Sequence, residues 1–197
     1  MPSRTTIVIA LTVAIIDGGH GRAAASADRT LVAHDFASSA QGWLIAGDTG
    51  MAAPVFQRDG GHPGGFISNV DEAVGETWYF QAPDSVRAQL AAAENGILSY
   101  DLEQSFTDAG FDDDDVVIVG RTGRISYRFG RSPGTDWTPF SVRLSAAAGW
   151  TWNWNAPATQ EQIRSVLADP VRFEIRGEYR TGPDEGGLDN VVLTGLD

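Results

Sequence analysis

The stretch VRFEIRGEY, residues 171–179, decides the fold. In an extended chain Val171, Phe173 and Ile175 point one way while Arg172, Glu174 and Arg176 point the other, which is a strand with one face on a core and one in water. Ile125, Tyr127 and Phe129 alternate in the same way with Ser126 and Arg128, and Phe140, Val142 and Leu144 with Ser141 and Arg143. Ile97 to Glu103 reads as half-buried and Val116 to Val119 as buried on both faces, which places the first in an outer and the second in a central position. Val191 to Leu193 supplies a closing strand. From Leu31 onward, short β-branched and aromatic runs are separated by Gly, Asp, Asn and Pro, the spacing of an all-β sandwich of two antiparallel sheets.

Helical periodicity is rare. Thr159 and Gln162 form a capping-box pattern, Ile163, Val166 and Leu167 make an apolar stripe, and Pro170 stops it, which predicts one short helix near residues 159–169. The alanines of Ser85 to Glu94, with Asp84 before them and Asn95-Gly96 after, predict a second.

Arg4 precedes an uncharged run from Thr5 to Ile16 that is too short to span a bilayer, and the small residues Ala25 and Ala27 follow it. Residues 1–27 therefore read as a secretory leader, which places the mature chain, residues 28–197, outside the cell or in the periplasm as one domain with no membrane span. The formal charge of the whole chain is −12, which excludes nucleic acid and anionic membrane surfaces as expected partners. There is no cysteine, so neither disulfides nor thiolate zinc sites hold the fold.

Taken in order, Asp35-Phe36, Gly42-Trp43, Gly64-Gly65-Phe66-Ile67-Ser68, Asp71 and Trp78-Tyr79-Phe80-Gln81-Ala82-Pro83 form the first half of a landmark series. Leu98 to Leu102, Asp115 to Gly120, Trp137, Gly149-Trp150, Ala158-Thr159, Ile175 to Tyr179 and Leu188-Asp189-Asn190-Val191 complete it. The chain thereby resembles the laminin type IV (laminin B) module over nearly the whole of residues 28–197. The resemblance implies a jelly-roll related to galactose-binding-like and carbohydrate-binding modules, and favours binding without naming a ligand. The animal modules sit among cysteine-rich repeats that this chain lacks, so a role in a laminin network does not carry over.

In sandwiches of this kind the first and last strands meet, and the resemblance implies a structural calcium there, with Asp35, Gly65, Asp71 and Asp189 as the expected ligands. Ala37 stands where related binding modules often carry a glutamate, and a second reading has Asp35 and Asp189 capping turns. Asp112 to Asp115 lacks the spacing of an EF-hand loop and is expected to be a solvated turn.

Trp150, Trp152 and Trp154 alternate and would share one face if the run stays extended, but Asn155-Ala156-Pro157 announces a loop. Trp152 and Trp154 are candidates for stacking on sugar rings, with packing under the helix as the other reading. Arg128, Arg143, Arg176 and Glu174 lie on the wet sides of strands and complete a candidate polar groove. His34 and His62 are the only histidines after the leader, no Gly-x-Ser-x-Gly elbow exists, and Glu174 or Glu178 facing Glu103 is the least poor acid pair for glycoside cleavage. The expectation is a non-catalytic exported module that binds extracellular carbohydrate or a matrix-like polymer, with a protein-interaction or cell-surface structural module as the alternative.

Overall fold

The computed structural model describes residues 28–47, 50–71 and 75–197. The expected leader, residues 1–27, lies outside the described residues.

Two antiparallel sheets carry the chain. Sheet A contains β1 (Asp28–His34), β3 (Val55–Gly61), β4 (Gly64–Val70), β6 (Ile97–Gln104), β9 (Thr138–Arg143) and β13 (Glu185–Leu196). Its order is β3-β4-β13-β6-β9, with β1 also on β13. Sheet B contains β2 (Leu44–Ala46), β5 (Tyr79–Gln81), β7 (Val116–Gly120), β8 (Gly123–Tyr127), β10 (Thr151–Trp152), β11 (Ala156–Pro157) and β12 (Pro170–Arg176), in the order β11-β10-β8-β7-β12-β5-β2.

The alternation read from the sequence sets what each sheet buries. Phe173 and Ile175 of β12 enter the core with Ile118 of β7, Ile125 of β8 and Phe80 of β5, and meet Leu98, Tyr100 and Leu102 of β6 and Phe140 and Val142 of β9 from sheet A. Trp43, Trp78 and Trp150 are buried among them. β7 is central, between β8 and β12, as its apolar run predicts. β6 is not an outer strand, because β13 runs twelve residues rather than three and pairs along it while β9 covers its other edge.

Helix α2 (Gln160–Ala168) starts on the expected capping box: the Thr159 side chain accepts from the Gln162 backbone N–H, and the Gln162 side chain accepts from that of Thr159. Ile163, Val166 and Leu167 face the core. The second expected helix breaks into α1 (Asp84–Arg87) and a 3-10 turn at Leu90–Ala93, and Asn95, at φ 61°, turns the chain out of it. Only Val86, Leu90 and Ala93 of this segment are buried, too few apolar anchors to hold a continuous helix.

Candidate functional site

Strand register builds a polar surface on the outside of sheet B. Because Ile125, Ile118, Phe173, Ile175 and Phe80 point into the core, their neighbours point out. Cross-strand pairing sets Thr151, Ser126, Val117, Glu174, Gln81 and Leu44 in one row across six strands. A second row joins Arg124, Val119 and Arg172.

Carboxylates at the floor of this face hold guanidinium groups above them. Asp114 accepts from Arg124 at 2.6 Å and from Arg128 at 2.7 Å. The Asp114 side chain is 8% exposed and that of Arg128 57%. Glu174 pairs with Arg172 at 3.2 Å in the same arrangement, 7% exposed against 50%. Arg124 also donates to Ser126, whose hydroxyl bonds that of Thr151 at 2.7 Å.

Burial alone would raise the Asp114 carboxyl, but the hydrogen bonds from Arg128 and Arg124 outweigh it and hold the group below the usual carboxylate range. Burial raises the Glu174 carboxyl against the pull of Arg172 and Arg124. The Tyr79 phenol is raised by burial and by the charge of Asp113.

Trp154 stands at the rim of this face. Asn153 and Trp154 have φ of 44° and 76°, and Asn155 N–H closes the turn on the Trp152 carbonyl at 3.3 Å. Two successive left-handed residues are the pattern of a type I′ hairpin turn, whose second central position favours glycine. Tryptophan there costs roughly 1–2 kcal/mol of backbone strain. The turn leaves its indole 68% exposed, with the Arg124 guanidinium 5.2 Å from the ring centroid.

This turn also ends the alternation expected for the three tryptophans. Trp150 is buried in the core, and Trp152 lies against Gly123, where a Cβ would fall 2.2 Å from the ring. Trp152 faces Thr122, Thr159 and Gln162 across a shallow cavity of about 360 Å³, so the start of α2, not the polar face, is its neighbour.

Other expected groove residues separate. Arg143 belongs to sheet A, on the opposite side of the molecule, and donates to the Asn95 carbonyl. Arg176 is buried: it donates to the carbonyls of Glu178 and Phe111, pairs with Asp115, and lies between the rings of Phe111 and Tyr179. Glu103 and Glu174 occupy different sheets and opposite faces, because each projects away from the core. They do not face each other across a cleft, and Glu178 accepts the Trp78 backbone N–H.

The acidic run is a correction. Asp112 is exposed, but Asp114 and Asp115 are buried, because Asp114 meets Arg124 and Arg128 while Asp115 accepts from Phe129 N–H and pairs with Arg176. Cations supplied from β8 and β12 override the repulsion between neighbouring carboxylates. Arg124, one residue before the alternation that begins at Ile125, is the partner that the pattern leaves out.

At the junction of β13 with the β3–β4 hairpin, Asp189 is fully buried and accepts from the backbone N–H groups of His62 and Asn190 at 2.6 and 2.7 Å. Burial raises its carboxyl, against those two hydrogen bonds, and the charges of Asp101 and Asp35 add to the rise. Gly64 O, Gly65 O and Asp189 Oδ2 converge so closely that a Cβ on Gly61 would lie 2.9, 2.5 and 2.7 Å from them. Asp35 accepts from Ala37 N–H in a local turn. Asp71 is elsewhere: it follows the far end of β4, where its N–H bonds the Asp184 carbonyl. Among the described residues no three carboxylate or imidazole side chains group closely enough to hold an ion by themselves, so backbone oxygens would have to complete any set.

The family model for Laminin B (Domain IV) matches residues 79–195, more than half of the chain. Among solved structures, the L4b domain of human laminin alpha-2 is similar with a TM-score of 0.65 at 12% identity, covering 85% of this chain and 99% of that one. The family 11 carbohydrate-binding module of the cellulosomal cellulase Lic26A-Cel5E of Clostridium thermocellum is similar with a TM-score of 0.52 at 11% identity, covering 87% of this chain and 96% of that one. At these identities the likeness is one of fold, and it agrees with the jelly-roll expected from the sequence. No curated protein sequence matches the chain. Among the described residues no helix is long and apolar enough to cross a membrane.

Proposed function

Because the chain belongs to the laminin B (domain IV) family, we propose that it is an exported, non-catalytic module that binds an extracellular glycan on the outer face of sheet B. The observation that carries this reading is Trp154: a large apolar ring held exposed by a turn that disfavours it, beside a row of hydrogen-bonding side chains. Backbone strain retained at an exposed aromatic points to use of that ring. An indole face stacks on the apolar face of a sugar while Gln81, Thr151 and Arg172, which reach the surface, offer donors and acceptors to its hydroxyls. The fold shared with a carbohydrate-binding module supports the same reading.

The one acid pair considered for glycoside cleavage is not assembled, since Glu103 and Glu174 face away from one another. Native electrophoresis through gels containing soluble polysaccharides tests the proposal. Retardation by at least one polymer is expected, and free migration through a broad panel would refute it.

A structural calcium at the β13 junction belongs to the proposal as well. Asp189 and Asp35, with the carbonyls of Gly64 and Gly65, would supply the hard oxygen donors, and the ion would tie the first and last strands to the β3–β4 hairpin. Asp189 would exchange its amide donors for the ion. Returning calcium to chelator-treated protein is expected to raise the thermal midpoint by several degrees, as for any ligand that binds only the folded state. An unchanged midpoint would remove calcium from the account and leave Asp189 as an acceptor for backbone N–H groups.

A further inference from the structure

The polar face of sheet B is formally near balance, but its charges are layered. Asp114 and Glu174 lie at the floor, while Arg128 and Arg172 rise above them to half exposure or more. An approaching molecule meets guanidinium groups first. Arg128 engages Asp114 through Nε, and Arg172 faces Glu174 through Nε. Each guanidinium carries five N–H donors, so the outward Nη edge of both remains open to a ligand.

Arg172 is the better placed of the two. Arg128 stands beside Asp112 and Asp113, whose charges act on it. Arg172 shares its row with Arg124 and Val119, and Arg124 is the residue beneath Trp154. Two strand spacings separate Arg124 from Arg172, about 10 Å. A sugar stacked on Trp154 can therefore continue across the Val119 side chain to a guanidinium edge shaped for two anionic oxygens.

Resting on the glycan-binding reading, we infer that the ligand carries negative charge on its sugars, as uronate carboxylate or sulfate ester, and that Arg172 pairs with that charge. The net negative charge of the chain does not oppose this at physiological salt, where charges farther than about 8 Å apart are largely screened.

Native affinity gels with matched polymers test the inference: polygalacturonate against its full methyl ester, and a sulfated galactan against the unsulfated polymer. Retention by at least one charged polymer is expected to exceed that by its neutral counterpart by about tenfold or more and to weaken as salt rises. The pair that shows the difference identifies carboxylate or sulfate. Arg172→Gln is expected to lose the charged-polymer preference, while Arg143→Gln on sheet A keeps it. Arg172→Lys, which preserves the charge without the fork, is expected to retain part of it, and supplies the answer if the glutamine variant unfolds. Equal retention by charged and neutral members overturns the inference but leaves glycan binding standing. Retention by no polymer overturns both, and an Arg172→Gln variant that binds like the parent overturns the role of Arg172.

Discussion

Asp114→Ala is expected to destabilise the fold by about 3–5 kcal/mol, the usual cost of removing one partner from a buried ion pair. Arg124 would be left with its side chain 14% exposed and its carboxylate partner gone, under the polar face of sheet B. For a chain of this length the midpoint falls by about 10 °C. The control lies two residues away: Asp112→Ala, on an exposed carboxylate of the same run, is expected to change stability by no more than about 0.5 kcal/mol. The pH dependence has a definite sign. The Asp114 carboxyl is held low in the folded state, so its contribution is complete above its unfolded pKa, about 3.9, and is lost as pH falls through the folded value. The difference between parent and variant is thus full at neutral pH and shrinks in strong acid. Equal, small effects at Asp112 and Asp114 would mean that the run is solvated throughout.

Trp154→Gly is expected to separate stability from binding. Glycine adopts the left-handed conformation of the turn without a Cβ penalty, so the variant keeps its midpoint or gains a few degrees. Glycan affinity falls by about 30-fold, since burying an indole face against a sugar contributes about 2 kcal/mol. Few substitutions remove a large side chain without destabilising the protein. Lower stability with unchanged retention would show that Trp154 serves the fold and not the ligand.

The strands and the first turn of α2 were legible in the sequence because alternation and capping act locally: Phe173 and Ile175 bury, Arg172 and Glu174 do not leave the outer face, and Thr159 caps. What was not legible depends on pairing between distant segments. The burial of Asp114 follows from the register that sets Arg124 and Arg128 beside it. The separation of Arg143 from Arg128 follows from which sheet each strand joins. Arg176 reads as a wet residue by alternation, but the loop through Phe111 covers it. Trp152 and Trp154 diverge because Asn153 turns the chain, a local event whose sequence signal is weakened by tryptophan at the glycine position. Arg128, Arg172 and Glu174 were thus legible from alternation, whereas Arg124, Asp114, Gln81, Val119 and Thr151 required the register.

Binding on the outer face of sheet B is most directly tested by nuclear magnetic resonance. The probe is an oligosaccharide cut from the polymer that retards the chain most. The indole N–H of Trp154 and the backbone amides of Val119 and Arg172 are predicted to shift together and saturably, while those of Ser99 and Ser141 on sheet A stay in place. Saturable shifts at Ser99 and Ser141, with Trp154 and Arg172 unmoved, would contradict the account and transfer the ligand to the other side of the sandwich.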